Sequence, residues 1–227
     1  MLLCISPNGM TREYINAKIS SDYGFDFEVD TYTFEKQVKI ALVGSMERIG
    51  TTTTSMNIAS YLESIGGKVS YTEANNSNHL KDIYNIFFKD NIVKENHFTA
   101  NGIDYFFNFN IPSTNYDFNI IDLGVLTDAN INIFNAIEGV KILCGGVKPY
   151  EIPSLSDSIE RLKDIKQYHI LLPKGDMLNI SNYIPDYENN MFHRIEYSKS
   201  LFNGDKNKKT WELLLSEYII KHKSLEI

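Results

Sequence analysis

The stretch VKIALVGSMERIGTTTT, residues 38–54, decides the fold of this chain. Its nearly continuous apolar run over 38–44 is typical of a strand that is covered on both faces of a parallel sheet. A loop containing Gly50 follows, and the segment 52–65 then carries apolar residues at helical spacing before Gly66. The stretch therefore predicts a buried strand, a glycine-containing loop and a helix, in that order.

The alternation of strand and helix continues along the chain. The hydrophobic patterns predict strands over 68–73, 118–123, 140–144 and 168–172, and helices over 79–88, 127–137, 154–164 and 208–222. Asn101-Gly102 predicts a type I′ hairpin turn. We therefore predict an α/β fold with a mostly parallel, twisted sheet of about six to eight strands and helices on both faces. The strands near 38–44 and 117–122 are expected to be central neighbours.

The first 36 residues differ from the rest in pattern. A weak helical period over 10–19 is followed by strand-like alternation over 25–30 and 32–34. We predict two parts, an N-terminal extension over 1–36 and an α/β domain over 37–227.

Composition excludes several classes of function. The chain has 227 residues, 43% of them hydrophobic and 22% charged, with no apolar run near the roughly 18 residues of a membrane span, so we predict a cytoplasmic protein without a transmembrane segment. A net charge of −7 makes nucleic acid an improbable partner. Lysines near both ends of the last predicted helix form either a solvated surface, the simpler interpretation, or a local site for an anionic partner. Cys4 and Cys144 lack metal-binding spacing and suit buried, reduced thiols.

The loop after the first predicted strand matches part of a phosphate-binding pattern. In G-x-x-x-x-G-K-[ST], backbone N–H groups surround the phosphates, the lysine reaches the β and γ phosphates, and the hydroxyl holds Mg²⁺. Gly50 and Thr52 fit this pattern, whereas Ser45 stands at the first glycine and Thr51 at the lysine. The geometry of the turn is kept while much of its positive charge is absent.

Residues 38–222 resemble the deviant Walker A ATPases of the ParA/MinD type, which position plasmids, division septa and pili. The resemblance implies that 37–227 form a P-loop NTPase-like domain of the ParA/MinD type. The family loop K-G-G-x-G-K-[ST]-T corresponds to 46–53, and the next residues, 54–59, are similar to the family's first helix. Met46 and Thr51 replace the two family lysines. The atypical loop and the extension ahead of it most resemble the TadZ/CpaE-like branch, which localises pilus-assembly machinery.

The resemblance also implies site residues. A strand ending in aspartate, 116–124, places Asp122 in a catalytic and Mg²⁺-binding role, with Glu73 as a second catalytic carboxylate and Asn75 at the place of another acid. The segment 182–188 is similar to a late loop that contacts adenine. Thr52 joins Asp122 as the second implied Mg²⁺ ligand, and the residues implied to contact ATP or ADP are Ser45, Arg48, Gly50, Thr51, Thr52 and Thr53.

The missing lysines define three competing functions. The leading hypothesis is a degenerate ParA/MinD-like scaffold for positioning or assembly, with a protein partner or a second copy of itself, and with weak or absent ATP binding and hydrolysis. The alternative is an active ATP-dependent switch for partitioning, pilus or secretion-system localisation. In this alternative Asp122, Thr52 and Glu73 hold Mg²⁺, and Arg48 replaces the lysine. A third is an interaction module whose loop has no ligand. Arg48 either lends its charge to the phosphates, or pairs with Glu47 or faces water.

Overall fold

The computed structural model describes residues 30–35, 37–109, 112, 115–174 and 191–223. The helices are α1 (Thr51–Ser64), α2 (His79–Ile83, continuing as a π-helical turn over Tyr84–Phe88), α3 (Asp128–Ala136), α4 (Ile152–Arg161) and α5 (Lys208–Leu214, preceded by a 3₁₀ turn over Asp205–Asn207). The strands are β1 (Asp30–Phe34), β2 (Val38–Gly44), β3 (Val69–Glu73), β4 (Val93–Lys94), β5 (His97–Ala100), β6 (Ile103–Phe106), β7 (Phe118–Val125), β8 (Gly139–Cys144), β9 (His169–Pro173), β10 (Met191–Ile195) and β11 (Ile219–Lys223).

Nine of these strands form one sheet in the order β10-β9-β8-β2-β7-β3-β6-β5-β4. The seven from β10 to β6 are parallel, and β5 and β4 add an antiparallel edge. β2 lies between β7 and β8 at the centre, with Leu42 beside Asp122 on one side and Ile142 on the other. The α/β fold class and the central pairing of β2 with β7 are confirmed.

Helices cover both faces of the sheet. On one face α1 and α5 pack on Ile40, Leu42 and Ile120, burying Met56, Leu62 and Trp211. On the other face α3 and α4 cover Val43 and Ile121 with Phe134, Leu155 and Ile159. Because β2 sends alternate side chains to opposite faces and both faces are covered, its sequence is apolar at almost every position.

Two expectations are corrected by the structure. The sheet has nine strands instead of six to eight. The two additional strands, which the hydrophobic pattern did not predict, are the two-residue β4 and the weakly apolar β10. The last helix ends at Leu214 instead of near 222, and β11 follows it. Trp211 and Leu214 are buried, but pairing of β11, which begins with the β-branched Ile219 and Ile220, with β1 overrides the helical pattern.

The described residues fall into two compact units. Residues 30–33 and 220–223 belong to one, in which Thr33 Oγ1 lies 2.9 Å from His222 Nε2. Residues 34–219 belong to the other, which contains the nine-stranded sheet. The division of the chain at residue 36 stays a prediction, and its patterns over 10–19 and 25–29 lie outside the described residues. Among the described helices, none is long and apolar enough to span a membrane.

Candidate functional site: a loop cavity at the carboxyl ends of the central strands

A cavity of about 1000 Å³ opens where the carboxyl ends of β2, β3 and β7 meet. Its walls are the loop 46–53, the segment 74–77 after β3, and residues 123–125 at the end of β7. Open parallel sheets bind ligands at this edge, and the volume is that of a site for a nucleotide-sized molecule.

The loop leads directly into the amino end of α1. Gly50 has φ +97° and Arg48 has φ +58°, so both lie in the left-handed region, which glycine adopts without strain and arginine does not. In the described part of the chain, no backbone N–H from Met46 to Thr53 donates a hydrogen bond of ordinary geometry. These unpaired donors, together with the helix dipole, form a site for an anion.

The positive charge of the cavity is small. Thr51, at the lysine position, is buried against Gly44, where an added Cβ would overlap its Oγ1. Arg48 is exposed and has no ion pair among the described residues, so it faces water and does not pair with Glu47. His79 also lines the cavity, together with the acidic Glu47 and Asp82.

Asp122 lies beneath the cavity, fully buried. Its Oδ2 accepts hydrogen bonds from Thr52 Oγ1 at 2.8 Å and from Tyr71 OH at 2.9 Å. Its Oδ1 accepts one from the Gly124 N–H at 2.9 Å. Burial raises the pKa of Asp122, while these three donors and the charge of His79 lower it in part. The carboxylate is therefore held by three protein donors.

Glu73 is also turned away from the cavity. Its Oε1 accepts hydrogen bonds from Ser77 Oγ at 2.9 Å and from the Leu80 N–H at 3.1 Å. In this position it stabilises the turn that leads into α2. Glu73 and Asp122 are direct neighbours across β3 and β7, but neither of these described residues lines the cavity.

The predicted nucleotide-contacting residues are brought together in part. Arg48, Gly50, Thr51, Thr52 and Thr53 all line the cavity. Ser45 is buried beside it, and its Oγ has no partner among the described residues. Asn75 lines the wall and donates from Nδ2 to the Asp122 carbonyl, while the predicted adenine loop over 182–188 lies outside the described residues. The roles of these residues stay predictions.

The residues do not fit a Mg²⁺ shell as they stand. A ligand set of this type needs carboxylate oxygens that face the ion or its waters. Thr52 reaches the cavity, but Asp122 has three of its roughly four lone-pair positions occupied by protein donors and no exposed surface. The Mg²⁺-binding role of Thr52 and Asp122 stays a prediction, because this arrangement would have to open first.

Sequence reasoning missed three contributors to the site. Tyr71 belongs to the buried strand pattern of β3, and nothing in the sequence distinguishes its hydroxyl from that of a core tyrosine. Thr127 and Asn130 form a capping box at α3, and Asn130 Nδ2 also donates to the carbonyls of Leu123 and Val125. The spacing of Thr127 and Asn130, a hydroxyl and an amide three residues apart directly after a strand, could have predicted this capping box from the sequence.

Cys144 ends β8 next to the loop and is buried as a free thiol, whose pKa burial raises to about 12. Redox chemistry at this position is therefore not favoured. Cys4 lies outside the described residues.

Three solved structures show what the fold is similar to. The MinC:MinD cell division protein complex of Aquifex aeolicus matches with a TM-score of 0.62 at 13% identity, covering 84% of this chain and 98% of that chain. A putative plasmid partition protein of Borrelia burgdorferi bound to AMPPNP gives 0.56 at 13% identity, covering 80% and 98%. An ATP complex of a Cyanothece McdA variant gives 0.54 at 13% identity, covering 85% and 100%.

Sequence comparison adds nothing to these matches, since no protein-family model and no curated protein matches the chain. At 13% identity a structural likeness establishes the fold alone. The chain therefore has the α/β fold seen in MinD, McdA and plasmid partition proteins.

Proposed function

We propose that this chain is a degenerate ParA/MinD-like protein that acts as a positioning or assembly scaffold, with weak nucleotide binding and little or no ATP hydrolysis. The proposal rests on the position and burial of Thr51. Thr51 occupies the lysine position and packs on Gly44 inside the loop, so no side chain there projects a cation into the cavity.

Weak binding is compatible with the loop. Its unpaired N–H groups and the amino end of α1 remain available to a phosphate. A charge-assisted hydrogen bond contributes about 1.5–3 kcal/mol, and every 1.4 kcal/mol is about tenfold in affinity, so the missing lysine weakens binding by roughly one to two decades. A nucleotide that binds micromolar in a complete site would then bind at tens to hundreds of micromolar.

Hydrolysis is affected more severely than binding. Phosphoryl transfer depends on positioned positive charge that offsets the charge developing on the γ phosphate. Both candidate carboxylates are also occupied, Glu73 by Ser77 and Leu80 and Asp122 by three donors. Neither is placed to orient water in the cavity.

One observation favours the alternative of an ATP-dependent switch for partitioning, pilus or secretion-system localisation. Thr52 donates to Asp122 at 2.8 Å, so the loop hydroxyl and the strand aspartate, the two residue types that hold Mg²⁺ in a working phosphate-binding loop, lie side by side. In that alternative Arg48 supplies the cation, and its side chain folds back over the loop from its exposed position.

The experiment that tests the proposal is thermal unfolding with ATP and ADP, alongside a steady-state hydrolysis assay. A ligand at 100 times its Kd raises the free energy of unfolding by about 2.7 kcal/mol. With a Kd of roughly 10 to 100 μM, we expect stabilisation by about 1.4–2.7 kcal/mol at about 1 mM nucleotide, and little or no turnover. Turnover by the wild type that disappears in Asp122→Ala would establish the switch, and no stabilisation by any nucleotide would leave an interaction module without a ligand.

The variant Arg48→Gly distinguishes the two roles considered for Arg48, contact with the phosphates and exposure to water. Glycine suits the left-handed backbone at this position, so the variant removes the side chain and keeps the loop conformation. If Arg48 faces water in the complex, nucleotide affinity is unchanged. If Arg48 replaces the lysine, affinity falls by about tenfold.

The partner of the scaffold is proposed to be a protein, including a second copy of this chain. The MinD structure above is a complex with MinC, which supports protein partnership for this fold. Four apolar residues surround the cavity mouth, Met46 and Ile49 half-buried and Phe109 and Ile133 exposed by 48% and 38%. We propose that such a surface associates without nucleotide, since it presents a thioether where the family has a lysine.

A further inference from the structure

The hydroxyl of Tyr71 contacts the same carboxylate oxygen of Asp122 as Thr52 does. Tyr71 on β3 pairs with Ile120 on β7, and Asp122 lies two residues further along the same face. The Tyr71 hydroxyl therefore reaches Asp122 diagonally, from one strand to its neighbour, and lies 2.9 Å from Oδ2. The Tyr71 side chain has no exposed surface. Of the three donors to Asp122, it is the only one from a side chain outside the loop and its following helix.

Packing does not account for this hydroxyl. The ring of Tyr71 packs in the core face beneath α1 and lies 5.7 Å from the ring of Tyr105, contacts that a phenylalanine would keep. The hydroxyl, by contrast, satisfies a buried carboxylate that forms no ion pair in the described part of the chain. It occupies an oxygen that a hydrated ion would need.

We propose that Tyr71 is a positioning residue that holds Asp122 out of any metal shell, so that the loop cavity binds a phosphate-bearing ligand without a divalent cation. This inference rests on the proposed function, because it concerns how that cavity takes its ligand. It predicts that the ligand is a free nucleotide or another phosphate ester. The loop N–H groups and the amino end of α1 would contact its phosphate in place of a metal ion.

Tyr71→Phe tests the inference because it removes one oxygen and keeps the ring. Tyr105→Phe is the matched control: it lies on the neighbouring strand with its ring against Tyr71, and its buried hydroxyl has no hydrogen-bond partner among the described residues. Both variants lose a buried hydroxyl, but only Tyr71→Phe releases Asp122. The double variant Tyr71→Phe/Asp122→Asn then shows whether any new metal response requires the carboxylate.

The first measurement is ATP affinity by isothermal titration in Mg²⁺ and in EDTA. We expect the wild type and Tyr105→Phe to bind equally in both, and Tyr71→Phe to bind at least about fivefold more tightly in Mg²⁺. A wild type that requires Mg²⁺ would overturn the inference while leaving the proposed function intact. A Tyr71→Phe variant indifferent to Mg²⁺ would overturn the assignment to Tyr71.

The second measurement needs no nucleotide, so it decides the inference even if the proposed function fails. Mn²⁺, which prefers the same oxygen ligands as Mg²⁺, is titrated against each protein and free ion is followed by electron paramagnetic resonance. We expect Mn²⁺ binding by Tyr71→Phe that exceeds the wild type by about fivefold and is lost in the double variant. Equal Mn²⁺ binding by the wild type and Tyr71→Phe would refute the role of Tyr71, and circular dichroism confirms that each variant is folded.

Discussion

Thr51→Lys is expected to restore much of the missing nucleotide affinity without restoring hydrolysis. The new ammonium would add a charge-assisted contact of about 1.5–3 kcal/mol to the β and γ phosphates, or roughly 10- to 100-fold in affinity. The variant also removes the contact of Thr51 with Gly44, which costs about 1 kcal/mol of stability in the ligand-free protein. Hydrolysis stays low because Glu73 and Asp122 keep their internal hydrogen bonds.

The assay is titration of a fluorescent ATP analogue against the wild type, Thr51→Lys and Thr53→Lys, with phosphate release measured in parallel. Thr53 lines the same cavity two residues further along α1, so Thr53→Lys adds the same charge at the wrong place. An equal gain in both variants would show a general electrostatic effect. No gain in Thr51→Lys would refute the assignment of Thr51 to the lysine position, and restored turnover would refute the argument from the carboxylates.

Three further outcomes follow from other parts of the fold. Burial and the neighbouring His193 lower the pKa of His169 to about 4, so the unfolded chain binds the extra proton below pH 6.5 and stability falls as the pH drops toward 4. Discounted for partial exposure, the loss that His169 contributes from pH 7 to 5 is about 1 kcal/mol by urea denaturation. His169→Gln removes this contribution and leaves that of His193, whose pKa burial also lowers. Gly204→Ala lowers the free energy of unfolding by about 1–3 kcal/mol, because its Cβ would overlap the backbone of Tyr61 in α1, and unchanged stability would contradict this contact. Sedimentation is expected to show a dimer that Mg·ATP does not alter and that Met46→Asp dissociates, whereas dimerisation only on adding Mg·ATP would restore the switch.

The fold was predictable where local pattern and tertiary environment agree. The sequences of β2 and β7 indicate buried strands because both faces of these strands are covered. Asn101-Gly102 forms the predicted turn, with both residues at positive φ. The closing segment was not predictable in this way. Its apolar residues repeat at helical spacing through Tyr218 and Ile219, and only pairing with the distant β1 makes β11 a strand.

The site was predictable as a loop but not as a network. The spacing from Ser45 to Thr52 identifies the residues that surround the cavity, since consecutive residues of one loop are adjacent by necessity. The partners of Asp122 depend on strand order and register, which bring Tyr71 to it from another strand. The role of Glu73 was also not predictable from the family resemblance. Its carboxylate accepts local hydrogen bonds from Ser77 and Leu80 at the start of α2.

These contacts bear on whether a ligand could switch the protein at all. A ligand shifts a conformational equilibrium only by its difference in affinity for the two states. Here Thr51 already occupies the space beside Gly44, and Thr52 and Tyr71 already satisfy Asp122, so the loop and the central strands are held by internal contacts. A phosphate that meets only the loop N–H groups changes none of these contacts and has little differential affinity to apply. The loop surface would then be the same with and without nucleotide, which is the behaviour expected of a constitutive scaffold.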